Sequence, residues 1–195
     1  MDVLGQGPRL LERAVRYVLA MPAPVTPDLL ARATPCAGWD LRMLLGHLTG
    51  SLTTLSHALA AGSLNAGPWP GPDAGAAAGL HHQARRLLAA CAAAPADQVI
   101  AIGGHELTAS ILAAAGAIET AVHGWDVSAA CGTAEPIPPA LATGLLAAAA
   151  LLIPPGTRHG LFADPLPPPV PATASSQLLA FLGRDAERPG ASSPG

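Results

Sequence analysis

Apolar residues recur at helical spacing through most of this chain, and proline and glycine collect between the periodic stretches. Leu11, Ala14, Val15, Val18 and Leu19 follow Pro8, which can sit in a first helical turn without losing a needed donor. A first helix is therefore predicted, ending near Met21-Pro22. The segment P-A-P-V-T-P-D crosses to T-P-C-A-G-W-D. Leu41, Leu44, Leu45, Leu48, Leu52, Leu55 and Leu59 then mark one face of a second helix, roughly Asp40 to Ala61. After G-P-W-P-G-P-D, Asp73 is a candidate N-cap for a third helix carrying Leu80, Leu87, Leu88 and Cys91. V-I-A-I-G-G-H-E-L predicts a short extended pair or loop. A fourth helix from about Thr108 to Cys131 follows, with Ile111, Ala115, Ile118, Val122 and Trp125 as its apolar stripe and Gly132 as its stop. A fifth is bounded by Pro138-Pro139 and Pro154-Pro155, and a short sixth spans Ser175 to Leu182 with Gly183 behind it.

Composition narrows the fold class. Alanine is the commonest residue of the apolar half of the chain, which has only six aromatic residues, so the core is expected to be built from closely approaching helices in an all-α fold. A length of 195 residues suits one domain. That domain is expected over residues 1–183, with a flexible tail over 184–195. A net charge of -3 and the absence of lysine leave no basic field for phosphate backbones, which argues against nucleic-acid binding. The start M-D-V-L-G-Q-G-P lacks the basic and apolar regions of a secretory signal, so a cytoplasmic protein is expected. The longest strongly apolar run, Ala140 to Ile153, is about 14 residues where a membrane span needs roughly 20. Cys36, Cys91 and Cys131 are odd in number, widely spaced and without a C-x-x-C pair, which favours reduced thiols over a disulfide framework or a thiolate zinc site.

The chemistry-bearing pattern is Glu119 and His123, four residues apart in I-E-T-A-V-H-G-W-D, with His47 upstream in L-L-G-H-L-T-G. Side chains at i and i+4 of a helix are stacked neighbours, so a carboxylate and an imidazole at this spacing can hold one metal ion while a third ligand arrives from elsewhere. Three protein ligands leave a position open. A carboxylate buried among alanine and leucine is costly unless it is paired, and bundle interiors build metal sites from inward-pointing Glu and His on facing helices. The same spacing also describes a satisfied core or surface pair, and taken alone it leaves both readings open.

The surrounding residues carry a resemblance. T-P-C-A-G-W-D-L-R-M-L-L-G-H-L at 34–48, E-T-A-V-H-G-W-D-V-S-A-A-C-G at 119–132 and L-L-A-F-L-G-R-D at 178–185 resemble the actinobacterial metal-binding proteins related to the N-terminal domain of mycothiol-dependent maleylpyruvate isomerase, in the DinB-like (YfiT-like) superfamily. The resemblance implies a DinB-like four-helix bundle, here with an extra short C-terminal helix. It also implies a divalent metal on His47, Glu119 and His123, with Glu119 standing where many superfamily members have His. Zinc is the first expectation, and the donor set also suits Fe(II), Mn(II) or Ni(II). Characterised relatives use the open position for a low-molecular-weight thiol, mycothiol or bacillithiol, whose thiolate attacks an electrophile. The full isomerase carries a further C-terminal domain, whereas about forty residues follow the fifth helix here.

The leading expectation is thus a mycothiol-type transferase or isomerase acting on a small electrophile, as a monomer or homodimer. The alternatives are a non-catalytic metal or small-molecule binding protein with a self-protection role, and a metal-dependent hydrolase. Coordination number discriminates the first, since a structural site is closed by a fourth protein ligand, for which His57, His105 and Cys36 are the residues to check. The hydrolase needs a spare carboxylate base, for which Asp126 and Glu106 are candidates.

Candidate substrate-binding residues are Trp39 and Trp125 as pocket walls, Ser51 one turn from His47, and Arg85 as a partner for a carboxylate of the thiol. Each has a plainer reading in capping, packing or solvation. Arg85 and Arg86 point about 100° apart, so at least one is solvated. Cys36 precedes a helix start, where thiolate is favoured, but also reads as a small packed side chain. His57, His81, His82, His105 and His159 fit no ligand spacing.

Overall fold

The computed structural model describes residues 2–21, 25–64, 76–95, 97–154, 156, 158 and 162–187. Most of them lie in six helices: α1 (Gly7–Leu19), α2 (Leu41–Ala61), α3 (Ala76–Ala93), α4 (Ala109–Ala130), α5 (Pro139–Leu152) and α6 (Ala174–Phe181). The starts follow the expected caps. Asp40 accepts the Met43 backbone N–H at 2.8 Å, and Thr108 accepts that of Ile111 at 3.3 Å. At α6 the Thr173 and Ser176 hydroxyls each accept the other's backbone N–H, closing a capping box. Asp73, Pro22 and Pro155, expected at helix boundaries, lie outside the described residues.

The all-α expectation is corrected by a small sheet. β2 (Val99–Ile102) and β3 (His105–Thr108) pair antiparallel across Gly103-Gly104, and β1 (Ser63–Leu64) adds to β2 in parallel, Ser63 opposite Ala101. The protein is therefore mostly helical with a three-stranded sheet. The hairpin has a sequence signal, but a two-residue strand is too short to show alternation. Single 3-10 turns at Leu4–Gln6 and Pro27–Leu29 are likewise too short for periodicity.

The expected apolar stripe on α4 is also corrected. Ala115 is exposed, whereas α4 is buried over most of its circumference. Other helices can crowd it because its residues are small. A Cβ on Gly116 would stand 2.7 Å from a Leu55 methyl, so a larger residue there would push the Leu55 side chain aside.

The contacts along α4 give the helix directions. Gly7 abuts Ser110, and Tyr17 donates to the Glu135 carbonyl just beyond α4, so α1 and α4 run parallel. His47, Ser51 and Leu55 meet α4 at His123, Glu119 and Gly116 in turn, so α2 runs antiparallel to it. α3 starts level with Thr49 and ends at Pro8, alongside α2 in the same direction. The sheet lies at the α2 C-terminus and α4 N-terminus, leaving the Trp39 end of α2 and the middle of α4 to face each other.

Past α6 the chain stays packed through Arg184, which is 9 % exposed. The tail expected to begin at 184 is corrected on this point: a guanidinium with a buried carboxylate partner, Asp126, holds the segment in. No described helix is long and apolar enough to cross a membrane.

Candidate metal centre

The antiparallel crossing of α2 and α4 brings the three expected ligands together. His47 Nε2 lies 2.6 Å from Glu119 Oε1, and His123 Nε2 lies 3.5 Å from Glu119 Oε2. One donor atom from each residue falls within 4.8 Å of the other two. Their side chains are 30 %, 29 % and 12 % exposed for His47, Glu119 and His123, so the group opens to solvent on the His47 and Glu119 side. Ser51, one turn below His47, donates its hydroxyl to Glu119 Oε1 at 3.0 Å. The Trp39 indole meets the His47 ring edge-on at 4.8 Å and lies nearly parallel to the His123 ring at 6.3 Å.

The electrostatics describe a carboxylate kept ionised by the groups around it. Burial raises the Glu119 pKa, yet the charge on His123 and hydrogen bonds from His47 and Ser51 hold it down at about 2. Burial lowers the His123 pKa, but Glu119 and the hydrogen bonds to Asp126 and Cys36 outweigh it and raise it well above the usual range. Two imidazoles and one carboxylate, converging on a common point, form a donor set that fits a divalent ion such as zinc.

Behind His123 lies a second group that sequence reasoning left unassembled. Asp126, fully buried one turn along α4, has Oδ2 3.0 Å from His123 Nδ1. Arg184 donates Nη2 to Oδ2 at 3.0 Å and Nε to Oδ1 at 3.4 Å. Cys36 donates its thiol to Oδ2 at 3.3 Å and accepts from Arg184 Nη2 at 3.2 Å. Burial raises the Asp126 pKa, but the Arg184 charge and the His123 hydrogen bond bring it below the usual carboxylate range. Cys36, His123 and Asp126 also have donor atoms within 4.8 Å of one another. There, however, a guanidinium already supplies the positive charge. The sequence offered Asp126 at i+3 from His123, and Cys36 and Arg184 within the resembling blocks, but no spacing joins Arg184 to its partner 58 residues away.

Several expected residues stand elsewhere. Trp125 is 2 % exposed and belongs to the hydrophobic core, so it is not a wall of the open side. Arg85 is exposed on α3 and shares no hydrogen bond or ion pair with the donor group among the described residues. His57, His81, His82 and His105 are exposed and outside both groups, and His159 lies outside the described residues. Glu106 is on β3, at the far end of α4. Cys36 approaches His123 at Nδ1, 3.7 Å away, on the opposite ring edge from Glu119. Among the described residues, therefore, no fourth His, Cys, Asp or Glu donor joins His47, Glu119 and His123.

The model of the mycothiol maleylpyruvate isomerase N-terminal domain family matches residues 11–128. The chain belongs to that family. The matched stretch of this DinB-like domain carries Cys36, Trp39, His47, Ser51, Glu119, His123 and Asp126, and ends well before Arg184. No curated protein and no solved structure gave a match.

Proposed function

We propose that this member of the mycothiol maleylpyruvate isomerase N-terminal domain family binds one divalent metal, zinc by preference, through His47, Glu119 and His123. Its activity would be a mycothiol-type transfer or isomerisation on a small electrophile inside the cell. The carrying observation is the convergence of these three donors, open to solvent on one side and joined by no fourth His, Cys, Asp or Glu donor among the described residues. In this reading α1 to α4 form the DinB-like four-helix bundle, and α6 is the short addition.

Held by these three residues, such an ion would supply the Lewis acidity that lowers the pKa of a thiol. The chain's own residues arrange the rest. Asp126 only accepts hydrogen bonds, so it keeps a proton on His123 Nδ1 and turns Nε2 toward Glu119. Ser51 fixes the Glu119 carboxylate from below, and the Trp39 ring walls the imidazoles. A hydrolase is less well served: Glu119 is used as a ligand, Asp126 is enclosed by His123 and Arg184, and Glu106 is remote.

The test is metal analysis of protein purified without chelator, followed by calorimetric titration of the metal-loaded protein with mycothiol. Stoichiometric metal in the wild type, its loss in His123→Ala and measurable thiol binding are expected. A wild type without metal ends the whole reading. A loaded protein with no affinity for any cellular thiol ends the transferase reading and leaves a binding protein.

A further inference from the structure

We infer that Arg184, supplied by the segment after α6 and lying outside the stretch matched by the family model, is a positioning residue for His123, acting through Asp126. This deepens the proposed metal reading and rests on it for its affinity arm only.

The local chain geometry delivers Arg184 to this place. Just past the end of α6, Gly183 has a φ of +77°, in the left-handed region that disfavours other residues. A Cβ there would stand 2.6 Å from the Ala163 Cβ, so the turn is also too tight for a side chain. The chain then folds back, with the Arg184 N–H on the Leu179 carbonyl at 2.8 Å and Nη1 on the Leu182 carbonyl at 2.9 Å. With one edge of the guanidinium tied to backbone, Nε and Nη2 are left facing the two oxygens of Asp126.

That side-on grip limits how the carboxylate can turn. Oδ2 serves three partners at once: His123 Nδ1, Arg184 Nη2 and the Cys36 thiol. A carboxylate gripped at both oxygens has one orientation, and its hydrogen bond to Nδ1 sets the plane of the His123 ring. Without Arg184, Asp126 keeps one strong partner and can rotate about its side-chain bonds, and the His123 ring loses its reference. The segment that closes the fold therefore also aims a ligand, although Arg184 does not touch the donor group itself.

The experiment compares wild type, R184A and R184K in full-length protein by two measurements. One is zinc affinity by chelator competition. The other is the Nδ1–H resonance of His123 in protein labelled with 15N-histidine, recorded metal-free and zinc-loaded. R184A is expected to weaken zinc binding about 10-fold, the lower end for residues that orient a ligand, and to broaden or lose the Nδ1–H signal in both states. R184K keeps the charge without the two-bond grip, so it should fall between wild type and R184A in both measurements. If R184A does not fold, R184K decides alone. Wild-type affinity with an intact Nδ1–H signal, in whichever variant folds, overturns the inference whatever happens to thermal stability. A wild type that binds no zinc fails the metal reading instead, and leaves the metal-free resonance to judge Arg184.

Discussion

Two donor groups share His123, one on each edge of its ring, and they differ in where their positive charge comes from. On the Nδ1 edge, Cys36 and the fully buried Asp126 surround a guanidinium that the chain itself provides. On the Nε2 edge, Glu119 is partly exposed and meets two imidazoles and a hydroxyl. A buried carboxylate needs its partner built in, because water cannot solvate it. A carboxylate at an opening can take its cation from solution. The difference teaches that proximity of donor atoms alone does not mark a metal site. What marks it is a converging set of imidazole and carboxylate donors that opens to solvent and, among the described residues, holds no guanidinium.

The sharpest way to break this comparison is to remove ligands on each edge. His47→Ala, Glu119→Ala and His123→Ala should each abolish stoichiometric metal in purified protein. Cys36→Ser should leave metal content at the wild-type value, and metal loss in Cys36→Ser would move the site to the other edge.

Stability should separate the groups in the opposite sense. Asp126→Ala leaves Arg184 buried and unpaired and is expected to cost about 3–5 kcal/mol of unfolding free energy in denaturant titration. Glu119→Ala, in metal-free protein, should cost less than Asp126→Ala, because water reaches the partly exposed Glu119 site and can solvate the partners left behind. Equal costs would mean that the two carboxylates are equally structural.

The pH dependence of the metal-free protein follows from the two shifted groups. His123 has its folded pKa raised, so its contribution is full below its unfolded value, about 6.5, and is lost as pH rises through the raised value. Glu119 has its folded pKa lowered to about 2, so its contribution is present above its unfolded value and is lost as pH falls toward about 2. Metal-stripped protein should therefore lose Tm on the alkaline side of neutrality. Metal affinity should rise over that same range, because protons and the ion compete for His123. An alkaline limb unchanged in His123→Ala would assign the Tm loss to another group. The smallest effect is that of Ser51→Ala, which removes one hydrogen bond to Glu119 and should weaken zinc binding by about 1 kcal/mol, roughly fivefold.

Much of this site is legible in the sequence. The leucine face of α2, the Asp40 cap and the i, i+4 pair on α4 are local patterns, and the flanking H-G-W-D and G-W-D blocks carried the resemblance that joined them. What was not legible depends on distance or on absent periodicity. Arg184 approaches Asp126 only after α5, a long proline-rich segment and the turn at Gly183 have been placed, and no spacing rule spans that path. Trp125 was legible both as a member of the α4 apolar stripe and as a pocket wall, and nothing local chose between the two. It becomes core once alanine and glycine let neighbours close around nearly the whole helix. β1 has two residues and no pattern at all.

X-ray absorption at the zinc edge of the loaded protein measures directly which edge of His123 receives the ion. The expected result is a shell of nitrogen and oxygen neighbours near 2.0–2.2 Å with no protein sulfur, recorded without added thiol. A sulfur neighbour near 2.3 Å that disappears in Cys36→Ser would contradict it, placing the metal where Arg184 now sits.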